Sequence, residues 1–307
     1  MHVLVTGATG FVGSKLCREL LKKGYKVTGL SLKQKSPEFL SDQYNREFQL
    51  INCNIIQDDL IKIVENLPSI DCIFHLAGQT YLKDSSSPQI YFQNNFVGTL
   101  NVLECCRVLK IPKFVFSSSM AAYGLGVGQL KPSYLPVDEK HDVNPYDFYD
   151  MSKYQAEQLC KYYYDRVGVV SIVLRYSRIY GPGMKKGLVF LATKRALGNE
   201  PIVVLGDVST DFVFIDDVIN ANLASLEKIN RYEIYNIGSG EEMTLFDLCS
   251  KIVELCDSSS QLNFHTKPKS RFSLDISKAQ RELDYQSTSM DKGLKKYVEY
   301  IKHKRAH

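Results

Sequence analysis

Short apolar, β-branched runs alternate with longer stretches of helical periodicity through the first 175 positions, the pattern of a parallel sheet whose strands are joined by crossover helices. The runs predict strands at Val3–Thr6, Lys26–Leu30, Phe48–Asn52, Cys72–Leu76, Lys113–Ser117 and Val169–Leu174. They are apolar almost throughout, as strands must be when helices cover both faces of a sheet. Between the first two, Phe11, Val12, Leu16 and Leu20 share one helical face and Gly24 supplies the stop. The expected fold class is therefore α/β, an open, doubly wound parallel sheet over residues 1–175. After Arg175 the texture changes, with Gly181, Pro182, Gly183, Gly187, Gly198, Pro201 and Gly206 breaking the chain into short pieces. Helical periodicity resumes near Asp217–Lys228, Leu245–Cys256 and Met290–His303. Residues 176–307 are expected to form mainly a smaller C-terminal α/β lobe, with some chain returning to the main sheet.

Composition narrows the class more than it adds to it. The 307 residues carry 38 basic and 34 acidic side chains, a net charge of +4 spread along the chain, so neither a nucleic-acid nor a membrane surface is expected. Eight cysteines lack paired metal-ligand spacing and fall mostly in apolar-periodic segments, which predicts buried free thiols and no metal. No stretch approaches the roughly 20 apolar residues of a membrane span, and the chain opens on a strand rather than a leader. A reducing, cytoplasmic setting is the expectation.

The first strand runs directly into Thr6-Gly7-Ala8-Thr9-Gly10-Phe11-Val12-Gly13, three glycines between a strand end and a helix start. That is the context of a dinucleotide fingerprint, in which the glycines allow a tight turn, a close backbone approach to the pyrophosphate and close packing of helix on sheet. The pyrophosphate would sit on the unpaired N–H groups of the helix start, with Thr9, Phe11 and Val12 beside Gly7, Gly10 and Gly13. An acid at the end of the second strand would bond the ribose of NAD, but the chain has Ser31 and Lys33 there. These suit the 2′-phosphate of NADP, which tilts the expectation toward NADP over NAD, and they equally suit a solvated loop.

Tyr149 and Lys153 are four apart in a segment that reads as a helix, so both project from one face. A cation held about 4 to 6 Å from a phenol lowers its pKa by about one to three units, enough to let it give and take a proton near neutrality. The run Ser117-Ser118-Ser119 places hydroxyls at the carboxyl end of a central strand, the edge where open α/β sheets bind ligands. Ser119 could hold a sugar hydroxyl or carbonyl beside Tyr149.

Taken in order, Thr6-Gly7-x-x-Gly10-x-x-Gly13, His75-Leu76-Ala77-Gly78, Asn95-x-x-Gly98-Thr99, Ser117–Ser119, Tyr149-x-x-x-Lys153, Arg175, Tyr180-Gly181-Pro182-Gly183, Asp211–Asp217 and Tyr235–Gly240 resemble the extended short-chain dehydrogenase/reductases. This is the group of nucleotide-sugar epimerases, dehydratases and 4-ketoreductases, and the resemblance covers nearly the whole chain. It implies a Rossmann-type cofactor domain and a C-terminal substrate lobe. It implies Tyr149 as the acid/base, Lys153 also on the nicotinamide ribose, and Ser119 on the reacting sugar oxygen. Further cofactor contacts would come from Asn54, Ile55, Leu76, Ala77, Gly78, Asn95, Ser117 and Tyr176, and substrate contacts from Gln79 and Met120. The helices at Asn95–Lys110 and Ser152–Asp165 match those that pair such enzymes into homodimers.

Departures from the family pattern narrow the reaction. Sugar 4,6-dehydratases carry an acidic pair where this chain has Met120 and Ala121, so water elimination is not expected. Arg178 stands where galactose-pathway 4-epimerases have asparagine, and Thr210 stands where an arginine grips the nucleotide diphosphate. Another cation must then take the diphosphate, with Lys267 or Arg271 as candidates, and Arg178 is a further candidate substrate contact. The expected function is NAD(P)-dependent hydride transfer at C4 of a nucleotide-linked sugar, as 4-ketoreduction or 4-epimerisation, with the Ser31–Lys33 region and Arg178 tilting toward reduction. A non-catalytic dinucleotide sensor or scaffold is the alternative from another class.

Overall fold

The computed structural model describes residues 1–32, 47–80, 87–124, 131–265 and 270–305. In chain order its elements are β1 (His2–Thr6), α1 (Phe11–Lys22), β2 (Lys26–Ser31), β3 (Phe48–Asn52), α2 (Leu60–Glu65), β4 (Cys72–His75), α3 (Gln89–Tyr91), a π-helical stretch (Phe92–Val97) and α4 (Gly98–Val108). There follow β5 (Lys113–Ser119), a 3-10 turn (Met120–Tyr123), α5 (Phe148–Val167), β6 (Val170–Tyr176), β7 (Arg178–Tyr180), α6 (Leu188–Ala196), β8 (Ile202–Leu205) and β9 (Ser209–Thr210). The rest are β10 (Phe212–Phe214), α7 (Ile215–Lys228), β11 (Glu233–Ile237), β12 (Met243–Thr244), α8 (Leu245–Leu255), β13 (Leu262–His265), α9 (Ser277–Leu283) and α10 (Met290–Arg305).

The chain divides into two compact units, the first made of Met1–Tyr123, Val143–Arg175 and Ile219–Tyr235, the second of Gly124–Asp142, Tyr176–Val218 and Asn236–His307. Gly124–Asp142, which the sequence pattern puts in the N-terminal domain, thus belongs to the second unit. In the first unit a seven-stranded sheet runs β11-β6-β5-β4-β1-β2-β3. The order winds outward on both sides of a switch between β1 and β4, where α/β sheets bind ligands. Parallel register places Thr6 beside His75 and His75 beside Phe116, so the segments leaving β1, β4 and β5 emerge together at one edge. Leu4, Ile73, Phe114, Phe116 and Val173 fill one core cluster with Val102, Leu103, Ala156 and Cys160 from α4 and α5.

The start of α5 is fixed locally. Asp147 accepts from the N–H of Asp150 at 2.9 Å and Asp150 accepts back from the N–H of Asp147, a reciprocal cap of an acidic kind. Gly168, at φ 85, ends the helix in the left-handed conformation. The buried face of α5 carries Lys153 and Glu157 among Ser152, Ala156, Cys160 and Tyr163. Charged side chains on an inward helix face are costly unless partnered, so this face is where chemistry is to be sought.

The second unit contains three two-stranded ribbons, β7 with β10 and β8 with β13 in parallel and β9 with β12 antiparallel. Asp211, wholly withdrawn from solvent, knits it together by accepting from the N–H groups of Ser239 at 2.8 Å, Gly240 at 3.0 Å and Leu274 at 3.2 Å. All eight cysteines are buried and free. Among the described residues no helix is long and apolar enough to cross a membrane, and no cluster of His, Cys, Asp or Glu could hold a metal.

Candidate active site

The turn after β1 has the shape of a phosphate cradle. Gly7 sits at φ +70, where a Cβ would come within 2.8 Å of the Ala77 nitrogen, and a Cβ on Gly13 would lie 2.2 Å from the Gly7 carbonyl oxygen. Only glycine allows this turn to press against the exit of β4 while α1 packs on the turn. The Gly10 N–H donates to the Gly7 carbonyl at 2.9 Å. At Gly10, α1 starts without a side-chain cap and without an acid in its first turn. Its leading N–H groups and positive dipole end are thus left to an external anion, which fits a dinucleotide pyrophosphate. Phe11 and Val12 flank the cradle, half-buried. The hydroxyls of Thr9 and Ser31 meet at 2.5 Å, tying the turn to the end of β2. Lys33 lies outside the described residues.

Beneath the exit of β4 runs a directional hydrogen-bond chain. The Ala77 N–H donates to Thr6 Oγ1 at 3.1 Å, Thr6 Oγ1 meets His75 Nδ1 at 2.7 Å, His75 Nε2 meets Thr99 Oγ1 at 3.0 Å, and Thr99 donates to the Asn95 carbonyl at 2.5 Å. Because the Thr99 proton goes to Asn95, its oxygen accepts from His75 Nε2–H, and Nδ1 accepts from Thr6. Burial pushes this imidazole down to about 3, with the Lys153 charge adding to the effect, so the ring is neutral and its tautomer is fixed. Asn95 accepts from the Gln79 N–H at 2.7 Å and donates to the Gln79 carbonyl at 3.0 Å and Ser152 Oγ at 2.9 Å. It ties the Leu76–Gln79 segment to α5, a positioning task that its polar atoms are committed to. Asn54 is likewise engaged within its own turn, donating to Gln57 at 3.0 Å and accepting from the Ile56 N–H at 3.0 Å, while the Ile55 carbonyl accepts from Asn101 at 2.8 Å.

On α5 the side chains of Tyr149, Lys153 and Glu157 recur every four residues and each meets a different member of the Ser117–Ser119 triplet. The Tyr149 hydroxyl is hydrogen-bonded to Ser119. Lys153 Nζ donates to the Ser117 carbonyl at 2.7 Å and lies 4.8 Å above the Phe116 ring centre. Ser118 donates to Glu157 Oε1 at 2.5 Å. Tyr91 packs edge-on against Tyr149 at 5.7 Å. Burial lowers the Lys153 ammonium to about 8, against an opposing pull from Glu157. Burial raises the Tyr149 phenol to about 12, the Ser119 hydrogen bond opposing and the charges of Asp150 and Asp147 adding. This is the reverse of the lowering that the four-residue spacing predicts. The spacing puts phenol and ammonium on one face, but the Ser117 carbonyl has captured the ammonium. Ser119 also accepts from the Ala121 N–H at 3.1 Å, and Met120 beside it is half-buried.

The motifs alone do not single out Ser118 and Glu157 as site residues, and Arg175 stands there only as one member of the ordered set. Arg175 grips Glu157 through Nη2 at 2.6 Å and Nε at 3.0 Å, with its guanidinium 4.5 Å from the Tyr123 ring centre. The one available signal was the third member of the four-residue repeat.

In the second unit Tyr176 is buried, at the end of β6. Arg178 reaches solvent and donates through Nε to Thr210 Oγ1 at 3.3 Å. Among the described residues no carboxylate pairs with it. Arg271 is bound to Glu242 at 2.6 and 2.8 Å on the surface, and Lys267 lies outside the described residues.

A glycine cradle at the switch of a doubly wound sheet, with a tyrosine against a hydroxyl and a lysine against a carbonyl at one strand end, defines a dinucleotide-dependent α/β enzyme of the extended short-chain dehydrogenase/reductase type. The chain belongs to the NAD dependent epimerase/dehydratase family, which matches residues 3–238. It is similar to the UDP-glucuronate 4-epimerase of Thermodesulfobacterium geofontis, 30% identical over 98% of this chain and 96% of that one. Among solved structures it resembles the UDP-glucose 4-epimerase of Thermotoga maritima with UDP-glucose, at TM-score 0.88 and 29% identity over 99% of this chain and 100% of that one. It also resembles the UDP-glucuronic acid 4-epimerase of Bacillus cereus in complex with NAD, at TM-score 0.84 and 32% identity over 99% of each chain.

Proposed function

We propose that the chain inverts C4 of a nucleotide-diphosphate sugar, with NAD(H) held in the Gly7–Gly13 cradle and Tyr149 as the proton carrier. The observation that carries this reading is the joined pair of Tyr149 and Ser119 hydroxyls at the edge where β1, β4 and β5 end. A nicotinamide held by this cradle would supply reversible hydride acceptance at the sugar carbon, and its positive charge would favour the ionised phenol of Tyr149. Ser119 orients the C4 oxygen and Tyr149 takes its proton, then returns it when the carbon is reduced from the other face. Lys153 anchors the strand end through the Ser117 carbonyl and presents the nearest cation of α5. Neither Met120 nor Ala121 can move a proton, which argues against a dehydratase.

For the diphosphate we assign Arg178. The arginine expected at position 210 is absent, and the guanidinium of Arg178 lies against Thr210 instead, without a carboxylate. Arg271 is less suited because Glu242 already satisfies it. Relatives with UDP-sugars in their names support a uridine nucleotide. The exposed apolar side chains of Phe148, Met151 and Tyr162 on α5 and Val108 on α4 support a homodimer through these helices, which sedimentation of the purified protein tests.

NADPH-dependent reduction of a 4-keto sugar is the second reading, favoured by the Thr9–Ser31 hydroxyl pair standing where an acid would repel a 2′-phosphate. Incubation with UDP-glucose, UDP-galactose and UDP-glucuronate, followed by NMR of the sugar C4 proton, tests the assignment. Inversion without net change in dinucleotide absorbance supports epimerisation. Stoichiometric loss of NADPH absorbance with 4-keto sugars supports the second reading, and neither outcome leaves only a binding protein.

A further inference from the structure

Glu157 has no contact with the cradle and sits two turns along α5 from Tyr149, yet it is fully buried and its carboxylate is shared between two elements of the sheet. From β6, Arg175 closes on both its oxygens, at 2.6 Å to Oε2 and 3.0 Å to Oε1. From β5, Ser118 donates to Oε1 at 2.5 Å. Ser118 is the middle residue of the triplet whose first member gives its carbonyl to Lys153 and whose third gives its hydroxyl to Tyr149. In an extended strand, neighbouring residues face opposite ways, so a pin on Ser118 sets the direction of both the residue before and the residue after.

We propose that Glu157 is a positioning residue that, held by Arg175, clamps Ser118 so that the Ser117 carbonyl stays on Lys153 and the Ser119 hydroxyl stays on Tyr149. This rests on the proton-carrier reading of Tyr149 and deepens it by naming what holds its partner in place. The clamp is built from charge rather than packing, which also gives it an electrostatic reach. The Glu157 carboxylate, one turn from Lys153, works against the burial that lowers the ammonium. The groups around Lys153 are Glu157 and Cys160 on its own helix, His75 from β4, the Phe116 ring and Ser117 carbonyl from β5, and the Asn95 side chain across Gly78. Those around Glu157 are Ser118, Arg175, Lys153, Cys160 and Tyr232 from the segment ahead of β11. Among these, His75 is neutral and Glu157 is the carboxylate that acts on Lys153.

Two variants separate a clamp from a generic buried pair. Ser118→Ala keeps the Glu157–Arg175 pair and removes only the link to the strand, so the melting temperature and the bound dinucleotide are expected to hold while kcat falls about 10-fold at nearly constant KM, in line with a lost orientation. Unchanged kcat overturns the proposal, and so does a parallel loss of stability and cofactor, which would mark Ser118 as structural only. Glu157→Gln is read without turnover, by titrating the 13Cε shift of Lys153. The amine is expected to titrate about one unit lower than in the wild type, and an unmoved titration contradicts the electrostatic part. Should the wild type turn over no sugar at all, the sugar assignment fails but the Lys153 titration still decides the clamp. Should Glu157→Gln not fold, Ser118→Ala alone decides it.

Discussion

Among the described residues two carboxylates are completely withdrawn from water, and they are kept there by different means. Glu157 in the first unit is held by a guanidinium and a hydroxyl, whereas Asp211 in the second is held by three backbone N–H groups and the Ser239 hydroxyl, with no cation among the described residues. A carboxylate paired with an arginine is one part of a charged row that continues through Lys153 toward Tyr149. A carboxylate solvated by the backbone locks loops and goes no further. The burial of Asp211 pushes its pKa up to about 6 despite those N–H groups, because nothing positive opposes the loss of hydration. Buried charge therefore joins a row of side chains in one unit and locks loops in the other, and the difference lies in whether a charged side chain is the partner.

The largest effect expected from this contrast lies on the α5 face. Tyr149→Phe removes only the transferable proton, so kcat should fall about 10^3-fold while dinucleotide occupancy and melting temperature stay near wild type. Residual activity above a tenth of wild type breaks the assignment. Next is Asp211→Ala, which takes the acceptor from three backbone N–H groups, that of Leu274 buried, and should destabilise the protein by about 3 kcal/mol in urea unfolding, with kcat of the folded fraction unchanged. A loss of kcat without loss of stability would erase the distinction between the two carboxylates.

The pH dependence of Asp211 sharpens the comparison. A folded pKa raised from 3.8 to about 6 means that the folded state holds the proton more tightly, so ionising this group costs stability as pH rises from about 4 to 6. The full cost is about 3 kcal/mol at neutral pH, by about 1.4 kcal/mol per unit. Wild type should therefore gain stability relative to Asp211→Asn as pH falls through that window, and a flat difference contradicts the assignment. Smallest is the pair of arginines in the second unit. Arg178→Ala should raise KM for the nucleotide sugar about 10-fold or more, the worth of a charged hydrogen bond, while Arg271→Ala, which loses only a surface ion pair, should change KM less than twofold. Equal effects would return the diphosphate to Arg271.

Six of the seven strands of the sheet were legible because they are largely apolar runs, whereas β11 was not. Predicted Phe48–Asn52 is observed unchanged, and the other five are displaced by at most two residues at either end. The helices α6 and α9 were not read, since Gly187 and Gly198 around the first and the shortness of the second hide their periods. The switch of the chain between units at Gly124–Asp142 left no trace, because membership of a unit depends on pairings such as Val137 with Leu274 that are far apart in sequence. At the site, spacing identified Tyr149 and Lys153 as sharing a face. It could not say that the ammonium goes to the Ser117 carbonyl, nor that Ser118 meets Glu157 across 39 positions, because these depend on the register of β5 against α5.

The central claim is that hydride leaves and returns to the same sugar carbon while Tyr149 handles the proton on its oxygen. It is tested most directly by incubating the enzyme with UDP-glucose carrying deuterium at C4 and reading both the configuration and the label at that carbon. Inverted product that keeps its deuterium is the expected result. Inversion with the label lost to water, or no inversion while a 4-keto sugar consumes NADPH, contradicts it.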